Sequence, residues 1–330
     1  MGIPTRALAL GAVSAFAIEA SALTVYTYSS FTADWGPGPA IEKSFEAECG
    51  CDLEFVALDD GVSLLTRLRL EGERSRADVV LGLDTNLTAE AQATGLLAPH
   101  GVDLSHLRLP VAWDDPTFVP FDYGWFAFVY NRESLPNPPT SLDGLVKAPE
   151  AMKIIVQDPR TSTPGLGLLL WMRKVYGAGA GAAWQALNPR ILTVTKGWSE
   201  AYGLFLEGEA PLVLSYTTSP AYHRIAESDS RYEAAVFDEG HYLQVEVAAK
   251  LRGASNPELA DRFLAFVVSE GFQQHIPTGN WMFPVIELGG GLPEGFSRPL
   301  GPEQTLSFES AEVFEHRKQW IDDWLQAMSR

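Results

Sequence analysis

The chain has 330 residues, 46% of them hydrophobic and 20% charged. That is the make-up of an ordinary globular protein, so disordered, collagen-like and coiled-coil classes drop out. Its 24 Lys and Arg face 42 Asp and Glu, a formal charge of −18, which argues against a nucleic-acid binder or a protein adhering to anionic lipid, since both need a basic footprint. At roughly 150 residues per domain the length suggests two domains.

The first predicted element is an export signal over residues 1–22. Arg6 supplies a positive start, Ala7 to Ile18 is uncharged and mostly apolar, and Ala20-Ser21-Ala22 fits the small-x-small cleavage rule. The apolar stretch is too short to span a bilayer; the competing reading is a buried N-terminal helix, and Glu19 weighs on that side. Cleavage after Ala22 leaves Leu23 first and makes the mature chain an exported one. No Cys follows the cleavage site, which argues against a lipid anchor, and no later apolar run approaches the length of a membrane helix.

From Leu23 the pattern alternates. Leu23 to Tyr28 and Asp52 to Leu58 read as strands, with a helix over Pro39 to Glu48 between them. Asp60-Gly61 opens a helix with Val62, Leu65, Leu68 and Leu70 roughly on one face, and Ala77 to Leu83 is the next strand. Further strands are expected at Phe126–Tyr130, Lys153–Gln157, Leu212–Tyr216 and Tyr242–Ala249. Helices are expected at Gly165–Tyr176, Gly181–Leu187, Ser199–Glu207, Pro257–Val268 and Ser310–Met328. Strands alternating with helices imply a parallel sheet covered on both faces, with ligands at the carboxyl ends of strands. Two α/β units without a long Gly/Ser linker, repeat or low-complexity tract suggest two lobes between which the chain crosses more than once.

The two cysteines, Cys49 and Cys51, lie one residue apart, with no His nearby to complete a metal site. In an oxidising compartment a small local disulfide is the expected fate, and so short a loop adds little stability by closure. The six histidines never pair at metal spacing; no H-E-x-x-H or P-loop occurs, the Gly165/Gly167 pair lacks a third glycine, and Gly197-Trp198-Ser199-Glu200-Ala201 lacks the second Gly of a nucleophile elbow. Nothing assembles a nucleophile with a base.

Three helix starts share one design: Thr163-Pro164, Ser219-Pro220 and Asn256-Pro257 set a capping residue before a Pro at the first helical position. Capping accounts fully for Asn256. The other two carry surplus hydroxyls, Thr161-Ser162-Thr163 and Ser215 with Thr217-Thr218-Ser219, where exposed N–H groups and the helix dipole suit an anion. Asp60 is read evenly as a helix cap or as a partner for a cationic or amine-bearing ligand. Most aromatic residues are expected in the core, but Tyr28, Trp198, Tyr216, Tyr222 and Trp281 sit at strand ends and turns, where they can wall a cleft.

These segments together resemble one family. Tyr26-Thr27-Tyr28 with Phe31 and Ala33 to Pro39, Asp60 to Leu65, Gln157 to Gly167, Thr195 to Gly203, Leu214 to His223 and Ile276 to Met282 are similar, in one register, to the periplasmic thiamine-binding proteins, the solute receptors of thiamine ABC importers. Cys49 and Cys51 fit as well; Leu288 to Gln304 and the export signal do not match. The resemblance implies a type II periplasmic-binding-protein fold: α/β, two lobes, each a mostly parallel sheet flanked by helices, with the ligand between. Its lobes would comprise residues 23–124 and 236–284 on one side and residues 125–235 and 285–330 on the other. By the same likeness Asp60 and Gly61 come from the first lobe and Ser162, Thr163, Trp198 and the turn Tyr216, Thr217, Thr218, Ser219, Pro220 from the second, while Tyr28, Tyr222 and Trp281 complete the cleft. Implied partners are thiamine or its mono- or diphosphate as cargo and an inner-membrane permease, with no resident cofactor, no metal, no catalysis and a monomeric state. Aromatic faces and Asp60 would address the vitamin, and the hydroxyls of Ser162, Thr163 and Ser219 a phosphate. The competing readings are an enzyme of thiaminase I type, which needs a cleft cysteine, and a receptor for ferric iron or a polyamine, which Tyr216 and Tyr222 loosely evoke.

Overall fold

The computed structural model describes residues 21–296 and 298–329, so nearly all of the expected export signal lies outside the described residues. In chain order the first part comprises β1 (Ala22–Tyr28), α1 (Ser29–Thr32), α2 (Gly38–Cys49), β2 (Asp52–Leu58), α3 (Gly61–Glu71), β3 (Val79–Asp84), α4 (Thr88–Ala93) and β4 (Leu97–Ala98). The long β5 (Val119–Asn131) leads into α5 (Leu142–Lys147), β6 (Ile154–Gln157), α6 (Thr163–Tyr176), α7 (Ala180–Leu187), β7 (Ile191–Thr195), α8 (Trp198–Leu206), β8 (Leu212–Tyr216), α9 (Pro220–Ala226) and β9 (Tyr232–Ala234). Then follow β10 (His241–Leu251), α10 (Pro257–Val267), α11 (Glu270–Gln273), a π-helical turn over Ile276–Asn280, β11 (Phe283–Pro284), β12 (Thr305–Leu306) and α12 (Ser310–Met328).

The strands run in the order β2-β1-β3-β10-β5-β8-β6-β7. The two flanks, β2-β1-β3 and β8-β6-β7, are parallel, as the alternating pattern predicts. The centre departs from that expectation: β3–β10, β10–β5 and β5–β8 are antiparallel, so each half carries a mixed sheet. β5 joins the halves, pairing with β10 over Val119–Trp125 and with β8 over Phe126–Tyr130. Only its second half was expected as strand, because Pro120 and Gly124 interrupt the pattern of Val119 to Trp125. Pro120 is tolerated where the register slips, with Glu246 opposite Asp122 and Val247 opposite Pro120, a bulge of the kind that accepts proline.

Along α3, Val62, Leu64, Leu65 and Leu68 are buried, whereas Leu70 is 74% exposed. The 3.6-residue period carries position 70 off the face that meets β3, and Leu64 takes the core place assigned to it. The Pro257 helix starts as predicted, with Asn256 Oδ1 accepting from Leu259 N. Cys49 and Cys51 are joined as a disulfide. α12 buries Val313, Trp320, Trp324 and Ala327 and packs across α7, α6 and α4.

Candidate ligand-binding cleft

The carboxyl ends of β1, β2, β6, β7 and β8 point at one cavity of about 290 Å³, as loops leading from parallel strands into helix starts should. Tyr28, Asp60, Trp198, Tyr216, Ser219, Tyr222 and Trp281 line it. Of the other residues expected at the site, Gly61, Ser162, Thr163, Thr217, Thr218 and Pro220 stand behind this lining.

At one end of the cavity a single carboxylate serves three helix starts. Asp60 Oδ1 accepts from Gly61 N (2.7 Å) and Thr163 N (3.3 Å), and Oδ2 from Trp198 N (3.2 Å) and the Ser162 hydroxyl (2.7 Å). Those three N–H groups open α3, α6 and α8, where the backbone lacks acceptors and the dipole favours negative charge. Burial of Asp60 raises its pKa, and the four bonds pull against that rise. Gly61 permits the close approach: a Cβ there would strike Thr163 Oγ1 and the Gly82 carbonyl. Two expectations change here. The cap of α6 is at Ser162 and not Thr163, and the Ser162 hydroxyl reaches across to Asp60 instead of capping its own helix. Trp198 is itself the first helical residue of α8.

Ser219 reaches the cavity from the start of α9. Its Oγ shares a 2.7 Å hydrogen bond with Ser215 Oγ and accepts from Tyr216 N, while Trp198 Nε1 donates to Ser215 Oγ at 2.7 Å. Thr217 N donates to Trp125 O, and Thr218 Oγ1 lies 3.9 Å from Met282 Sδ in the interior. Pro220 is buried at the first turn of α9.

Aromatic faces form the walls. Trp198 stacks on Tyr202 with centroids 4.9 Å apart, Trp35 leans on Trp198 at 6.1 Å, and Tyr222 meets Trp281 edge-on at 5.3 Å. His223 ties the second wall together: its Nε2 bonds the Tyr202 hydroxyl, its Nδ1 bonds Glu227 Oε2, and the Tyr222 hydroxyl donates to Glu227 Oε1. Trp281 holds a left-handed backbone (φ 57°), which costs a residue with a Cβ about 1–2 kcal/mol and points to a position set by the surrounding turn.

The floor is acidic. Glu246 on β10 lines the cavity; its register partner Asp122 on β5 lies beneath. The Tyr28 hydroxyl donates to Glu246 Oε2 (2.7 Å), and Asn280 Nδ2 reaches Tyr28 Oη (2.9 Å), Asp122 Oδ2 (2.5 Å) and Glu246 Oε2 (3.4 Å). Burial pushes Asp122 up to about 7. Burial and then the neighbouring Asp122 charge push Glu246 well above the carboxylate range. Burial, with the Glu246 charge, also raises Tyr28 and Tyr216.

Trp35, Tyr202, Glu246, Asn280 and Met282 line the cavity without having been singled out from sequence. A signal existed for one of them: every residue from His241 to Ala249 is buried, so a carboxylate in the run Tyr242-Leu243-Gln244-Val245-Glu246-Val247 stands out against its neighbours.

Residues 27–274 match the family of bacterial extracellular solute-binding proteins. The chain is 60% identical over 308 residues to the thiamine-binding periplasmic protein of Escherichia coli (strain K12), covering 93% of this chain and 94% of that one. It is 44% identical over 325 residues to the thiamine-binding periplasmic protein of Haemophilus influenzae (strain ATCC 51907 / DSM 11121 / KW20 / Rd), covering 98% and 97%. A solved periplasmic thiamin binding protein, 60% identical, superposes with a TM-score of 0.91 over 94% of this chain and 96% of its own. Iron-bound HitA from Pseudomonas aeruginosa, 20% identical, superposes with a TM-score of 0.77 over 93% of this chain and 99% of its own, a likeness of fold alone. The chain belongs to the bacterial extracellular solute-binding proteins and, among them, to the family of these thiamine-binding relatives. It thus carries the two-lobed type II fold of solute receptors.

Proposed function

We propose that the protein is a periplasmic receptor that captures thiamine, or its mono- or diphosphate, between two lobes and hands it to an inner-membrane ABC permease. The lobes we assign are residues 23–124 with 236–284 and residues 125–235 with 285–330, the mature chain beginning after Ala22. The observation that carries this reading is the ring of aromatic faces, Trp35, Trp198, Tyr202, Tyr222 and Trp281, around the cleft of a chain so similar to thiamine-binding proteins. Thiamine joins a permanent thiazolium cation to a planar aminopyrimidine, and each aromatic face over a cation contributes roughly 0.5–2 kcal/mol. The N–H groups gathered round Asp60 are already given to its carboxylate, so a phosphate on the ligand's tail would meet the Ser219 hydroxyl, which lines the cavity.

A receptor without catalysis fits the chemistry better than a thiaminase-like enzyme. Both cysteines are tied to each other, which leaves no cleft thiol as nucleophile. The iron reading is not favoured: the Tyr216 hydroxyl is bonded to Gln244 and that of Tyr222 to Glu227, each turned to a protein acceptor. The deciding experiment is calorimetric titration of refolded, ligand-free mature protein with thiamine and both phosphates. One equivalent bound near or below micromolar, about −8 kcal/mol or better, with no turnover, upholds the receptor; no heat with any of the three overturns it.

A further inference from the structure

The floor of the cleft is short of hydrogen-bond donors. Two carboxyl groups, Asp122 and Glu246, bond each other there, and both side chains are almost wholly buried. The donors facing them are the Tyr28 hydroxyl from β1 and the Asn280 amide from the π-helical turn. Beyond the bond within the pair, Asp122 Oδ1, fully buried, accepts from no N–H or hydroxyl. Of the other titratable groups near the pair, Asp60 at the start of α3 adds negative charge, Tyr216 from β8 is held neutral by burial, and among the described residues no Lys, Arg or His forms an ion pair with either acid. A buried acceptor left without a donor costs about 1–3 kcal/mol, and natural interiors rarely leave one without a reason.

Glu246 is the member of the pair that reaches the cavity, between Tyr28 and Asn280. The geometry points to Glu246, held by Asp122, as the acceptor for an amino group on a planar heteroaromatic ligand. The inference rests on the thiamine reading, for which that group is the exocyclic amine of the aminopyrimidine. The ligand's stations then run through the cleft: the amine edge at Glu246, the quaternary cation, which has no N–H to give, between aromatic faces, and the alcohol or phosphate tail toward Ser219. Asp122 touches no ligand in this arrangement. It acts as a positioning residue that keeps the Glu246 carboxyl, with the proton the two acids share, turned into the cavity.

Calorimetry with thiamine and with its 4′-deaminated analogue, on wild type and Glu246→Leu, tests this directly. The expected result is a preference of at least tenfold for thiamine in wild type, and in Glu246→Leu a loss of at least tenfold for thiamine with the two compounds bound equally. A variant that keeps the wild-type preference overturns the assignment. Should Glu246→Leu fail to fold, Glu246→Met fills the same space with an unbranched chain and is read the same way. Wild type alone also decides: equal affinity for thiamine and the deaminated analogue removes the amine contact while leaving the receptor reading intact. Wild type that binds neither removes the receptor reading itself.

Discussion

Asp60 and Ser162 lie 102 positions apart in the chain, and their side chains meet at 2.7 Å. The contact joins the loop after β2 to the loop after β6, one from each half of the molecule, and Asp60 also receives N–H groups from Thr163 and Trp198. It therefore fastens the two sides of the cleft together. An amide in its place would turn a donor toward other donors. Asp60→Asn should lower affinity for thiamine and for both phosphates by at least tenfold, since hydrogen bonds to a charged group are worth about 1.5–3 kcal/mol each. Titration of the variant with all three ligands checks this, and undiminished binding of any of them would contradict it.

The Ser162 hydroxyl is fully buried and donates to Asp60, so it is not free to hold a phosphate, the role expected for it from sequence. Ser162→Ala should weaken thiamine, its monophosphate and its diphosphate alike, by about tenfold, the loss of roughly one charge-assisted bond. A selective loss of the phosphorylated ligands would restore the phosphate role.

Ser219 lines the cavity and stands at the start of α9. Ser219→Ala should cost the phosphorylated ligands more than thiamine, by a further factor of about ten, the worth of one hydrogen bond to a charged group. Equal losses measured by the same titration would show that the tail lies elsewhere.

Stability should depend on pH through the acid pair. Asp122 titrates near 7 when folded, against about 4 in an unfolded chain, so above pH 4 the folded state keeps a proton that the unfolded state has released. Stability on this account is greatest at low pH, falls as pH rises from about 4 through about 7, and levels off only once Glu246, held well above the carboxylate range, has also lost its proton. Asp122→Asn removes one of the pair's two titrations and the Asp122 charge that raises Glu246, so its melting temperature relative to wild type should be higher at pH 8 than at pH 5. Thermal melts at the two values test this, and an identical offset at both would rule it out.

Gly82 has φ 111°, and a Cβ there would run into the Tyr28 ring. Gly82→Ala should destabilise by about 1–3 kcal/mol, from strain plus overpacking, and displace Tyr28 from its bond to Glu246. Denaturant unfolding gives the first effect and loss of thiamine affinity the second.

Much of this was legible in the chain. β2, β8 and α12 lie where local propensity put them, and the cleft aromatics Tyr28, Trp198, Tyr216, Tyr222 and Trp281 betrayed themselves by standing at strand ends and turns. The resemblance, rather than the periodicity, supplied the particular ligand. Illegible were the features made by distant pairing. Nothing local in Val119 to Trp125 says that Pro120 will fall at a bulge, or that Asp122 will face Glu246. Asp60 was weighed as a helix cap or a ligand contact, and the fold makes it a cap for three helices at once, two of them more than a hundred residues away. Leu70 shows the opposite error, where apolar character was taken for burial without following the helix round.

β5 changes partners within one residue, leaving β10 at Trp125 and joining β8 at Phe126. The halves are thus beads on a common rod, not blocks free to slide past each other. Any opening of the mouth would flex that rod beside the floor, close to where Asp122 and Glu246 sit, together with the two other crossings between the assigned lobes. A filled cleft and an empty one would then differ, to anything resting on the outside of both halves, chiefly by an angle.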